Sequence, residues 1–240
     1  MRFKAKLKLL DPDWADQIWK AAKAKNGGEG AAWLLPLAAM AITGCRPASL
    51  ERGIAFKVIQ DQGVIYIQAK VQGAKIITSA DGKPKRGQKE ATIEWQMRPG
   101  ADHDTHRSHE LAAIAKALLD APGRSLTVRY DGEAISTRLR ELSKELWPRR
   151  RHHVSGVCYR ELFSAESKGA GVDPCDLAAA MCHLSTESQG RYAHGRRRKG
   201  AVKPAKRTFT RVTASTPVRA DRSPMARFAR ASAIKKRLKV

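Results

Sequence analysis

Two arginines, a histidine and a tyrosine, each in a short distinctive segment, are residue types that could bind or attack a phosphate group. Arg46 falls in Thr43-Gly44-Cys45-Arg46-Pro47, directly after an apolar run, and Arg160 in Tyr159-Arg160-Glu161-Leu162-Phe163. His183 falls in Met181-Cys182-His183-Leu184-Ser185-Thr186, and Tyr192 follows in Gly190-Arg191-Tyr192-Ala193-His194. A guanidinium presents a planar fork to two oxygens at once and stays protonated. A tyrosine hydroxyl ionises only near pH 10, so at neutral pH it attacks only with help from its neighbours. The overall charge suits the same kind of ligand. Lys plus Arg number 46 against 23 Asp plus Glu, a formal +23. Residues 196–240 carry +15 of this and the body +8, so the body is basic without its tail. Each phosphate that such a surface neutralises releases condensed counterions, which favours nucleic acid as the partner.

Several elements must position these residues. Residues 12–25 place Trp14, Ile18 and Ala22 at helical spacing. Residues 31–43 are apolar nearly all round and too short to span a bilayer, which predicts a buried helix stopped by Gly44. A turn or short helix follows from Pro47 to Arg52. Residues 54–60 and 63–71 read as a hairpin around Asp61-Gln62, with Val64, Tyr66 and Gln68 sharing one face. Residues 74–78 and 90–97 supply a further strand or two, and helices are expected over 108–121, 133–146, 156–169, 174–182 and 186–193. From His194 onward large apolar residues are scarce, which predicts disorder, with residues 226–239 folding as a basic helix on DNA. The fold class is therefore α+β and mainly helical, with a small antiparallel sheet.

Other readings of the composition fall away. There is no run of about 18 apolar residues and no signal-peptide layout, so no membrane association is expected. Cys45, Cys158, Cys175 and Cys182 form no CxxC pair, so reduced thiols in the cytoplasm are expected. His103, His106 and His109 recur every three residues, a spacing that drifts around a helix and follows Pro99-Gly100; a solvated loop fits better than a metal site.

The four segments, in this order, resemble the catalytic domain of the tyrosine recombinases (the phage-integrase family). That family shows TGxR, a hairpin Lys, an Arg-bearing helix, and a His followed nine residues later by Tyr; here Tyr192 is nine residues after His183. The resemblance covers roughly residues 30 to 195. It implies site-specific DNA recombination or integration through a 3′-phosphotyrosyl intermediate, as in a mobile genetic element, with no metal and no cofactor. Tyr192 would attack the phosphate, Arg46 and Arg160 hold its non-bridging oxygens, Lys70 protonate the leaving 5′-oxygen, and His183 bind the phosphate or move a proton. Lys75 is the competing hairpin lysine. Phosphate contacts are expected from Lys75, Lys83, Lys85, Arg86, Arg191, Arg196, Arg197 and Arg198.

The resemblance further implies a catalytic domain over 1–195, a DNA-contacting tail over 196–240, and assembly on double-stranded DNA as a dimer or tetramer near the nucleoid. The family's N-terminal clamp domain is expected to be absent. Val157 stands where the family has a His, and Met181-Cys182 where Leu-Gly is common. Two other readings share these residues: a DNA-binding remnant without turnover, and a type IB topoisomerase-like relaxing enzyme.

Overall fold

The computed structural model describes residues 10–25, 32–82, 84–97, 108–191 and 207–220. The fold is α+β and mainly helical, as the sequence leads one to expect. Helix α1 (Trp14–Lys25) buries Trp14, Ala15, Ile18, Trp19 and Ala22 along one stripe. Helix α2 (Leu34–Thr43) is buried at nine of its ten residues, in line with its unbroken apolar sequence. Its Pro36 lies in the first turn, where backbone N–H groups have no helical partner to lose. A short helix, α3 (Pro47–Arg52), leads into the sheet.

Strands β1 (Ile54–Asp61) and β2 (Val64–Gln72) form the expected hairpin. The turn residues are Gln62 and Gly63, both at positive φ, which matches the twist of a two-residue hairpin loop. Val64, Tyr66 and Gln68 do share a face, but it is the outer one. The core face carries Ile67, Ala69 and Val71, facing Val58, Phe56 and Ile54 across β1 and Trp95, Ile93 and Ala91 across β5 (Glu90–Met97). Between β2 and β5 lies a small hairpin of β3 (Ile77–Thr78) and β4 (Pro84–Arg86). The strand β6 (Ser125–Val128) pairs with the other edge of β1; its four residues are too few to show a period.

Helices α4 (His109–Asp120), α5 (Gly132–Leu146), α6 (Gly156–Gly169) and α7 (Pro174–Ala180) follow. Ser108 and Asp131 cap α4 and α5 by accepting the N–H of Leu111 and Ala134. His109 opens α4, whereas His103 and His106 lie outside the described residues. The last expected helix is a 3₁₀ turn, Thr186–Arg191.

The tail departs from expectation in one stretch. Residues 207–220 are ordered, and β7 (Arg211–Ala214) adds to β5 as an edge of the sheet, giving the order β6-β1-β2-β5-β7. The domain expected to end at residue 195 thus takes its edge strand from beyond it. Averaged over 45 residues, the tail's composition hides three local anchors. Phe209 stacks on Phe163 at 5.9 Å. Arg211 lies 4.0 Å over the Tyr66 ring and pairs with Asp61 and Glu94.

The third anchor is Arg207, buried against Glu110 at 2.7 Å, Glu166 at 2.8 Å and Asp16 at 3.3 Å. Burial works against the Arg207 charge, but Glu110 and Glu166 outweigh it and hold its pKa above the ordinary value. Residues 196–206 and 221–240, with the helix expected over 226–239, lie outside the described residues.

Candidate functional site

Arg46 is placed by the residues on either side of it. Gly44 ends α2 in the left-handed conformation (φ 60°), its N–H donating to the Met40 carbonyl at 3.0 Å. A Cβ at this position would lie 2.5 Å from the Phe163 ring, so glycine is required twice over. Pro47 then opens α3 and holds Arg46 extended (φ −84°, ψ 151°), because a residue before proline avoids the helical region. The half-buried Arg46 side chain has no hydrogen bond or ion pair with the described residues.

Arg160 projects from α6 and is only 4% exposed. It donates to the Gly44 carbonyl at 2.7 Å and the Met181 carbonyl at 2.6 Å, so it joins the end of α2 to the end of α7. Its Nη2 also lies 2.9 Å from His183 Nε2. A guanidinium only donates, so Nε2 accepts and the ring proton sits on Nδ1. Nδ1 is 3.1 Å from the Gln189 side-chain amide, which must then present its carbonyl oxygen to it. His183 thus orients Arg160 and is itself held by Gln189.

His183 reaches this position through the way α7 ends. The His183 N–H donates to Ala178 at 2.8 Å and the Cys182 N–H to Ala179 at 2.8 Å, a pair of reversed bonds that needs a left-handed residue between them. That residue is Cys182, with φ 52°. Glycine takes this conformation without strain, whereas Cys182 adopts it at a cost.

These residues meet at a cavity of about 240 Å³. Arg46, Arg160 and His183 line it together with Lys75, Lys85 and Arg219, against one carboxylate, Glu187. Lys75 and Lys85 come from the 73–89 loop, which is folded too tightly for side chains at two positions. A Cβ at Gly73 would lie 2.0 Å from the Gln88 carbonyl, and one at Gly87, 1.9 Å from the Lys75 carbonyl. Gln88 ties the loop to the rest. Its side chain donates to the His183 carbonyl at 2.9 Å and accepts from the Thr216 N–H at 3.0 Å, while its own N–H donates to Cys182 at 3.1 Å.

Lys70 sits elsewhere. It is exposed on β2, 3.0 Å from Glu90, and is not part of the cavity wall. Arg86 lies in β4 and Arg191 closes the 3₁₀ turn. Tyr192, Lys83, Arg196, Arg197 and Arg198 lie outside the described residues. Gln88, Gln189 and Arg219 escape sequence reasoning. A lone glutamine carries no spacing signal, and Arg219 is one of sixteen cations in the tail.

Two cysteines also line the cavity. Burial pushes both the Cys45 and Cys182 thiols up to about 11, so at neutral pH neither supplies a thiolate nucleophile. Tyr66, Tyr130 and Tyr159 are not on the wall; Tyr159 is buried edge-on to Trp14, with centroids 5.0 Å apart. The described residues hold no cluster of His, Cys, Asp and Glu able to bind a metal ion. No described helix is long and apolar enough to cross a membrane.

No family model and no curated sequence matches the chain. Among solved structures it is similar to that of a XerA recombinase, with 18% sequence identity and a TM-score of 0.46. The overlap covers 77% of this chain and 59% of the recombinase, so the chain spans about three-fifths of that protein's length.

Proposed function

We propose that the cavity binds a DNA phosphodiester and that the protein is a tyrosine recombinase, cutting and rejoining DNA strands through Tyr192. One observation carries the reading: Arg46, Arg160 and His183, far apart in sequence, converge on one cation-rich cavity. Tyr192 is the residue after the 3₁₀ turn whose Glu187 and Ser188 line the same cavity. The Tyr192 hydroxyl oxygen bonds to phosphorus, the bond to the 5′-oxygen breaks, and the phenolic proton passes to water. Arg46 and Arg160 neutralise charge on the non-bridging oxygens; losing one such preorganised donor costs on the order of 10²–10³ in rate. Lys75 suits the protonation of the leaving 5′-oxygen better than Lys70, because it lines the cavity and has no carboxylate partner among the described residues. The reverse attack by a 5′-hydroxyl restores the phosphodiester, so rejoining needs no external energy source. Assembly as a dimer or tetramer on duplex DNA, in the cytoplasm, belongs to the same proposal.

A second reading, DNA binding without turnover, has its own support. Arg160 is committed to two protein carbonyls, and Val157 offers no proton-transfer group on the helix that carries it. A nicked duplex that traps the covalent complex separates the two. Under the first reading a denaturation-resistant protein–DNA band forms with the native chain and is absent with Tyr192→Phe. Under the second, DNA is bound and no such band appears.

A further inference from the structure

Arg219 lies beyond Tyr192 in sequence, outside every segment that suggested the site, yet it lines the cavity with Arg46 and Arg160. Its backbone is fixed to the segment that carries His183. The Arg219 N–H donates to the Leu184 carbonyl at 2.8 Å, and its carbonyl accepts from the Thr186 N–H at 3.1 Å, forming a parallel bridge opposite Ser185. These two bonds hold Arg219 beside the residues that follow His183. The preceding residues are anchored as well, through β7 and through Thr216 on Gln88. The Arg219 side chain is exposed and meets no carboxylate among the described residues. A rigidly placed backbone carrying an uncommitted guanidinium at the mouth of a cationic cavity is what anion binding requires.

We propose that Arg219 is a third phosphate-binding arginine of this cavity, gripping the same phosphate as Arg46 and supplied by the C-terminal strand. The inference rests on the cavity being a phosphodiester site. It makes docking of that strand part of assembling the site: when β7 is paired with β5, the guanidinium is in place.

The test is a double-mutant cycle on binding to a fluorescein-labelled 30-base-pair duplex at low salt, with Lys20→Ala on α1 as a control for loss of one exposed charge away from the cavity. Arg219→Ala is expected to weaken binding about tenfold or more, as for a lost charge-assisted hydrogen bond, whereas Lys20→Ala changes it little. Arg219→Lys recovers part of the loss. Combined with Arg46→Ala, the loss departs from the product of the two single losses by more than about threefold, because residues sharing one partner group couple. Since the bridge to Leu184 and Thr186 is made by backbone, unchanged thermal melting of Arg219→Ala is expected to accompany these effects. If Arg46→Ala weakens binding but Arg219→Ala matches Lys20→Ala, or if the two losses simply multiply, the assignment of Arg219 is wrong and the cavity reading stands. If Arg46→Ala has no effect either, both fail together.

Discussion

Replacing Arg207 by Met removes the guanidinium that pairs with Glu110, Glu166 and Asp16, and takes from Glu110, 1% exposed, its partner at 2.7 Å. Removing one partner of a buried ion pair costs about 3–5 kcal/mol, because the remaining charge keeps its desolvation penalty. For a domain of this size that corresponds to a fall in Tm of roughly 6–20 °C. The loss also depends on pH. Burial already raises the Glu166 carboxyl above its ordinary value, with Arg207 opposing it. Without Arg207 the folded-state pKa rises further, while the unfolded one is unchanged. A carboxyl raised in the folded state favours folding at pH values below its unfolded pKa, and that contribution is lost as pH rises through the folded one. The deficit of Arg207→Met against the native protein is therefore larger at pH 8 than at pH 5. Urea melts at both pH values measure it. A deficit under about 1 kcal/mol, or one equal at the two pH values, refutes the argument. Because Arg207 anchors the segment that carries β7, DNA binding should weaken in parallel with the loss of stability.

Gly44→Ala forces a side chain into the left-handed region and against Phe163; a loss of about 2–4 kcal/mol is expected in chemical denaturation, and Phe163→Leu should relieve part of it. Lys75→Ala should slow formation of the covalent complex about 10²–10⁴-fold, the usual range for a general acid. Lys70→Ala should change that rate less than threefold, since Lys70 is not on the cavity wall and its exposed pair with Glu90 adds at most about 1 kcal/mol to stability. Gln88→Glu places an acceptor against the His183 carbonyl where the native amide donates; cleavage should fall further than with Gln88→Ala, measured on the same nicked duplex.

The helices were legible because their apolar residues recur with helical period and their ends carry strong signals. Gly44 and Pro47 around Arg46 are the clearest case: each has one conformational consequence, and together they fix where the arginine emerges. His183, which lines the cavity, stands out in the sequence only through the family resemblance, and the left-handed turn that aims it depends on Cys182, which gives no local cue. The choice between Lys70 and Lys75 could not be read in advance. Both lie near the end of a hairpin strand, and only the tight packing of Gly73 and Gly87 around the loop turns Lys75 into the cavity. The return of the tail as β7 leaves no sequence signal for a related reason. Phe209, Val212 and Arg207 act through tertiary partners distant in sequence, and average composition contains no trace of those partners.

The most direct measurement is to locate the nucleotide on the trapped covalent complex by trypsin and nuclease digestion followed by mass spectrometry. Cleavage after Arg191 and Arg196 yields the pentapeptide Tyr192-Ala193-His194-Gly195-Arg196. The account predicts a 3′-linked nucleotide on this peptide, carried by the tyrosine. A nucleotide on Ser185, Ser188 or another residue would contradict it.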